Sequence, residues 1–392
     1  MHDPTARSEK TVAVLSFTNL ASDPRVNRQI RWLASRYSVV ALGLADPNVP
    51  GVRFVPCRFE NRGTLGKFGV LLRLLFRRHE AYYWSQAHHR EARELLAGLK
   101  VDAIVANDLE ALPVALAASG GQPVIMDAHE YAPREFDESL WWRLLVQPYK
   151  VALCRRYLSR AAAMVTVCDG IAAEYRDRFG VMPGVITNAP DAEPLEPHPT
   201  DPRRMRMIHH GGATRSRKIE LMIRMMAHLD SRFELDLMLV PESGDYVDEL
   251  KRLAAGDPRI RFVPPVPMRE IARTLSAYDI GLYLLEPNNF NNRMALPNKF
   301  FEFIQGRLAV AIGPSPEMAR IVTEHGLGVV AAAFTPRSLA DALNRLDASS
   351  IDAFKARSHA VARDLSSERN AEKFLALVEQ TLGEPSCAAS QP

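Results

Sequence analysis

The stretch LPNKFFEFIQGRLAVAI, Leu296–Ile312, spells out one helix, its end and the strand that follows. Pro297 sits near a helix start, where its missing N–H costs nothing. Gly306 ends the helix, and Leu308–Ile312 is the next strand. Lys299 and the exposed amides of the first turn make a site for an anion. Glu302, one turn further in, can accept hydrogen bonds from a pair of ribose hydroxyls. A capped helix with two solvated charges accounts for the same residues equally well.

The helix–strand unit recurs in both directions. Around it, Met205–His210, Glu234–Val240, Ile260–Pro264, Ile280–Leu285, Leu308–Ile312 and Gly328–Ala332 are strand candidates. The helices between and after them are expected at Arg217–Leu229, Tyr246–Ala255, Met268–Ala277, Pro297–Gly306, Ser315–His325 and Pro336–Leu346. Nearer the N-terminus, Thr11–Ser16, Ser38–Leu42, Val52–Pro56, Asp102–Ala106, Pro123–Asp127 and Ala163–Val167 repeat the pattern. Strands alternating with helices indicate βαβ units and a parallel sheet. Between the two series lies NAPDAEPLEPHPTDPRR, Asn188–Arg204, rich in Pro and acidic residues and without periodicity, which reads as an extended linker. The expected fold is therefore α/β, with two Rossmann-like domains facing a central cleft. The domains fall at 1–190 and 205–365, the linker at 188–204, and a last amphipathic helix at 366–382. In open parallel sheets ligands bind at the carboxyl ends of the strands, so the chemistry belongs in the loops just after them.

Composition bounds the rest. Over 392 residues, 49 Lys+Arg nearly balance 46 Asp+Glu, and the net charge of +3 argues against a nucleic-acid binder. A 47% hydrophobic and 24% charged composition excludes wholesale disorder. Cys57, Cys154, Cys168 and Cys387 form no CxxC pair, which excludes a zinc ribbon or a disulfide framework and fits a reduced, cytoplasmic protein. The opening MHDPTARSEK has no apolar signal-peptide core, and no run of about 18 apolar residues spans a membrane.

Four further segments carry candidate chemistry. In Ile208–Glu220, IHHGGATRSRKIE, a strand ends in Gly211-Gly212, which lets backbone approach a ligand, and Arg215, Arg217 and Lys218 then open a helix. A glycine pair before basic residues at a helix start suits a diphosphate; a flexible turn with solvated cations is the bland alternative. Neither GxGxxG nor a Walker A loop is present. DAHEY, Asp127–Tyr131, follows a strand and offers His129 to orient a sugar hydroxyl or move a proton, although a lone histidine is more often structural. In NLASDPRVNR, Asn19–Arg28, Ser22 or Asp23 caps a helix with Pro24 at its first position, and Asn19, Asp23 and Arg25 are available to an acceptor. The basic-apolar stretches at 65–78 and 140–160 can rest on an anionic membrane or pack on a core with a solvated basic edge. The adjacent pairs His88–His89 and His209–His210 point apart and are not read as metal sites.

In order, these pieces resemble the retaining GT-B glycosyltransferases of family four. The match runs through DPRVNRQIRWLASRYSVVALGL, DAHEY, AAAMVTVCDGIAAEYRDRFG, VITNAP, HHGG…RK, IARTLSAYDIGLYLLEP and LPNKFFEFIQGRLAVAIGPSPEMARIV. The resemblance implies that Glu302 binds ribose and Lys218 the donor diphosphate, with Arg215 or Arg217 as helper. It implies that His129 faces the donor sugar, that the turn from Gly313 to Glu317, with Ser315, lies beside the diphosphate, and that the final helix returns to the N-terminal domain. Met294 stands where the family often has a second glutamate, and Glu286 or residues 288–292 are its substitutes. Arg307 and Ala309 depart from the usual Gly-x-Pro, and VPESG replaces a glycine motif near Val240.

The implied activity is metal-independent transfer of a sugar from a nucleotide diphosphate sugar to a hydroxyl acceptor, with retention, in bacterial cell-surface polysaccharide or glycolipid synthesis. No cofactor is expected, and the acceptor is a glycan, glycolipid or small molecule. The location is cytoplasmic, or peripheral at the inner face of the cell membrane. The rival readings are a nucleotide-sugar epimerase of the same fold and a non-catalytic sugar-binding protein.

Overall fold

The computed structural model describes residues 8–58, 72–241 and 244–383. Lys67 and Phe68 of the first basic-apolar stretch, Glu242 and Ser243 of VPESG, and Cys387 lie outside them.

The chain divides into two compact units. Unit 1 holds residues up to 187 together with 289–291 and the chain from 371 onward; unit 2 holds 188–288 and 292–370. Unit 1 is built on β1 (Thr11–Leu15), β2 (Ser38–Gly43), β3 (Arg53–Pro56), β4 (Ala103–Asn107), β5 (Val124–Ala128), β6 (Ala163–Thr166) and β7 (Gly184–Val185), in the order β3-β2-β1-β4-β5-β6-β7. Unit 2 is built on β8 (Met205–Ala213), β9 (Phe233–Pro241), β10 (Ile260–Phe262), β11 (Ile280–Tyr283), β12 (Ala309–Ile312) and β13 (Gly328–Val330), in the order β10-β9-β8-β11-β12-β13. Every pairing in both sheets is parallel. Parallel strands buried on both faces need continuous apolar runs, and β1 and β11 supply them: their residues are buried almost throughout. In each unit the strand order reverses once, between β1 and β4 and between β8 and β11. Loops diverge at such a switch point and leave a crevice.

Helix α1 (Pro24–Ala34) starts as its sequence requires. Asp23 is the N-cap and accepts from the Arg25 and Val26 amides, both at 3.1 Å, with Pro24 in the first turn. Its buried face, with Val26, Ile30 and Leu33, joins the unit 1 core. Phe374 and Val378, on the part of the terminal helix (Ser367–Thr381) that belongs to unit 1, are fully buried in the same core.

Three elements depart from the sequence expectation. Strand β8 continues three residues past His210, through both glycines to Ala213, because β9 pairs with it residue by residue as far as Pro241. The expected helix Arg217–Leu229 is broken: Arg215–Arg217 is a 3-10 turn, Lys218 takes a left-handed backbone (φ 47°), and α-helix runs only over Glu220–Met225. Met268–Ala277 likewise reduces to a 3-10 turn at Met268–Glu270 and a short helix at Ile271–Leu275.

Helix Ala348–Val361 has no counterpart in the sequence reading. Its buried stripe is Ile351, Lys355 and Ser358, so polar residues occupy positions where periodicity would show apolar ones. The fold accommodates them: Lys355 Nζ reaches Asp279 at 3.0 Å and Ser358 Oγ donates to the Leu308 carbonyl at 2.7 Å.

Residues 191–200 carry no helix or strand, and several of their backbone polar groups find partners within unit 2. Arg307 Nη2 donates to the Glu193 carbonyl (2.6 Å) and Nε to that of Leu195 (3.0 Å), while the Thr200 amide donates to Asp352 (2.9 Å). Arg307, at the unusual position noted above, is buried and left-handed (φ 65°). A glycine there would adopt that backbone more cheaply but would lose the hold on the strap.

Candidate functional site

In unit 2, helix α2 (Asn298–Gln305) is seated on β11 by an absence. A Cβ on Gly281 would fall 2.2 Å from the Phe303 ring, so only glycine lets the helix pack this closely. Phe303 also meets His210 edge-on, with centroids 5.4 Å apart. This packing places Glu302 Oε2 3.4 Å from His210 Nε2, with Glu302 only 8% exposed. Burial and the charge of Lys299 push His210 down to about 3. It is therefore neutral across the physiological range, and Glu302 faces an imidazole rather than a cation.

Lys299, one turn earlier and also buried, lies under Gly211: a Cβ there would stand 3.2 Å from Lys299 Nζ. Gly211 has φ +108°, a backbone that side chains resist, so the strand end stays open beside the ammonium. Tyr283 stacks on His209 and carries Lys299 Nζ 4.9 Å from its ring centre.

The three cations after β8 do not behave alike. Arg215 is tied to Glu249 by two bonds of 2.6 Å and to Asp245 by one of 2.8 Å. Arg217 Nη1 donates to the Gly212 carbonyl at 2.9 Å. Lys218 Nζ meets Glu286 Oε2 at 2.5 Å. Of these, Lys218 alone reaches a residue on the loop after β11. It does so from a left-handed cap rather than from a helix start, contrary to the expectation that these cations open a helix.

Ser315 precedes helix α3 (Pro316–His325) as its N-cap residue but makes no capping bond. Its hydroxyl is buried and has no hydrogen-bond partner among the described residues. A buried hydroxyl left unmatched beside free helix amides suits an anion that brings its own acceptors.

Unit 1 holds a polar chain at its own switch point, buried at Arg25, Gln29, Asn107 and Asp127 and partly exposed at Asp108 and His129. Arg25 Nε lies 3.1 and 3.0 Å from the two carboxylate oxygens of Asp127, and Nη2 lies 2.6 Å from Oδ1. Gln29 Nε2 donates to Asp127 at 2.7 Å, Asn107 Nδ2 to Gln29 Oε1 at 2.9 Å, and His129 Nε2 lies 3.1 Å from Asn107 Oδ1. Asp108 Oδ1 accepts the His129 amide at 3.0 Å, and Oδ2 stands 3.3 Å from His129 Nδ1. Loss of water around Asp108 raises its carboxyl, and the nearby His129 opposes the rise.

The sequence-derived residues thus have distinct positions. His129 sits with Asn107 and Asp108. Arg25 faces inward on Asp127 rather than toward open surface. Asp23 is a cap, and Asn19 is exposed with its Oδ1 accepting the Ala21 amide at 3.1 Å. Gln29, Asn107 and Asp108 were not singled out by sequence, and His210 was weighed only as half of a histidine pair that was not read as a metal site. Asn107 and Asp108 directly follow strand β4, on one side of the switch point, and that position was the available signal.

Residues 22–190 match the model of the glycosyl transferase 4-like domain family. No curated protein matches the chain. Among solved structures, HepE of Anabaena in complex with UDP-glucose is 14% identical, covers 95% of this chain and 100% of its own, and superposes with a TM-score of 0.68. Sucrose-phosphate synthase of Thermosynechococcus elongatus is 14% identical over 96% and 100%, with a TM-score of 0.70. WaaG, a glycosyltransferase of lipopolysaccharide biosynthesis, is 14% identical over 94% and 99%, with a TM-score of 0.62. The two parallel Rossmann-like sheets and these likenesses give the chain the GT-B fold of glycosyltransferases, with a glycosyl transferase 4-like match over residues 22–190.

Proposed function

We propose that this protein transfers a sugar from a nucleotide diphosphate sugar to a hydroxyl acceptor, with retention at the anomeric carbon. The observation that carries the reading is the unit 2 cradle: a buried Glu302 carboxylate beside neutral His210, with Lys299 under the open Gly211. Glu302 accepts the two ribose hydroxyls. Lys218, Lys299, the Ser315 hydroxyl and the α3 amides hold the diphosphate and stabilise the charge it gains on leaving. These cations and amides supply the charge compensation without a metal. The acceptor hydroxyl attacks on the face the diphosphate leaves, and its proton passes to the departing phosphate oxygen. His129 orients donor hydroxyls, while Asn19 and the chain around Asp23 and Arg25 shape the acceptor side. HepE was solved with UDP-glucose, and WaaG acts in lipopolysaccharide synthesis. By analogy, the acceptor is a glycan or glycolipid made at the cytoplasmic face of a bacterial membrane.

Thermal-shift titration with UDP-, ADP- and GDP-sugars tests the reading. One nucleotide class is expected to stabilise the protein by about 2.7 kcal/mol at a hundred times its Kd. No shift with any nucleotide sugar overturns the reading. Epimerised donor formed without acceptor favours the epimerase instead.

Membrane contact is part of the proposal. Leu75, Phe76, Leu140, Trp141 and Leu144 are exposed on unit 1, and Arg77, Arg78 and Arg143 are their exposed basic neighbours. No helix among the described residues is long and apolar enough to cross a membrane, so the contact is peripheral. Flotation with anionic vesicles is expected, and the Phe76→Ser/Trp141→Ser variant is expected to stay in the soluble fraction. Equal flotation of both proteins refutes the contact.

A further inference from the structure

Strands β8 and β11 are neighbours where the strand order of unit 2 reverses, so the loops that leave them bound its crevice. Lys218 comes from the first loop and Glu286 from the second, and their ion pair spans the opening at 2.5 Å. Both side chains are nearly half exposed, 43% and 45%, so water reaches the pair. Neighbouring cations have other commitments, Arg215 to Asp245 and Glu249 and Arg217 to the Gly212 carbonyl. An anion entering between these loops therefore meets Lys218 with a carboxylate already on it.

We propose that Glu286 is an exchangeable counter-ion for Lys218. An incoming diphosphate takes the ammonium, and the glutamate is released from it. The inference rests on the reading of unit 2 as a nucleotide diphosphate site. An exposed ion pair is worth only a factor of about two to five. A diphosphate, with at least twice the charge of a single carboxylate and more oxygens to share among donors, outcompetes it. Glu286 therefore weakens anion binding at Lys218 by about that same two- to fivefold, a loss that a diphosphate offsets more fully than a singly charged anion does.

Calorimetric titration of the full chain with UDP, ADP and GDP, and with inorganic pyrophosphate, tests the exchange. Glu286→Gln is expected to bind the preferred diphosphate about two- to fivefold tighter than wild type, and Glu286→Ala likewise. Lys218→Met is expected to bind more weakly. Adding Glu286→Gln to Lys218→Met is expected to change nothing, because the carboxylate then has no ammonium to occupy. Unchanged or weaker binding by both Glu286 variants, with wild-type melting temperatures, overturns the exchange, as does a Glu286 effect of the same size without Lys218. If none of the four probes binds wild type or Glu286→Gln, the diphosphate site itself is wrong, and the inference falls with it.

Discussion

Arg25→Met will destabilise unit 1 by about 3–5 kcal/mol, the cost of leaving one partner of a buried ion pair alone. Arg25 and Asp127 are 6% and 2% exposed. The guanidinium makes three contacts of 3.1 Å or less to the carboxylate and a fourth, at 2.7 Å, to the Ile186 carbonyl. In the variant, Gln29 is the hydrogen-bonding side chain left to Asp127, and one neutral donor does not replace a guanidinium fork. For a domain of this size, each kcal/mol lowers the melting temperature by roughly 2–4 °C, so a fall of about 10 °C is expected in the unit 1 transition. The control is Arg25→Met/Asp127→Leu, which removes both charges and is expected to recover much of the loss, since paired charges and apolar replacements of similar volume nearly balance. A single variant within about 1 kcal/mol of wild type would show that the pair is solvated rather than buried.

That pair also marks where the sequence was legible and where it was not. The alternation of apolar strands and polar helices was plain, because buried parallel strands must be continuously apolar. The start of α1 was plain too, because Pro24 after Ser22-Asp23 is a local signal, and the structure picks Asp23 of the two candidate caps. Arg25, however, stands beside that cap in a helix start full of polar residues, and nothing local tells a solvated arginine from one whose partner lies 102 residues away. The same blindness hid the helix Ala348–Val361, whose buried stripe contains Lys355 and Ser358. It also hid the break at Lys218: a left-handed lysine has no sequence signature, whereas a glycine would have. Local propensity and periodicity therefore gave the strands and their order of appearance. Long-range polar pairing, which sets the site's charge state, did not show.

Glu302→Ala will weaken donor use by about two to four orders of magnitude while leaving the fold intact. A carboxylate that accepts both hydroxyls of a ribose makes two charge-assisted hydrogen bonds, each worth about 1.5–3 kcal/mol. Losing both weakens nucleotide binding by about two to four orders of magnitude. The geometry favours this role because Glu302 is buried enough to be poorly hydrated, yet faces a histidine held neutral down to about pH 3. No protonated His210 competes for its lone pairs. Glu302→Gln separates charge from shape. The amide keeps one acceptor and turns the other into a donor, so it is expected to fall between wild type and alanine. Calorimetry with the preferred nucleoside diphosphate and steady-state transfer assays read both variants, and melting temperatures close to wild type exclude a folding defect. Since ribose is held alike in the bound donor and in the transition state, most of the alanine loss is expected in KM rather than kcat. Binding by Glu302→Ala within threefold of wild type would remove Glu302 from the site. A loss confined to kcat would move it from the ribose to the reacting sugar.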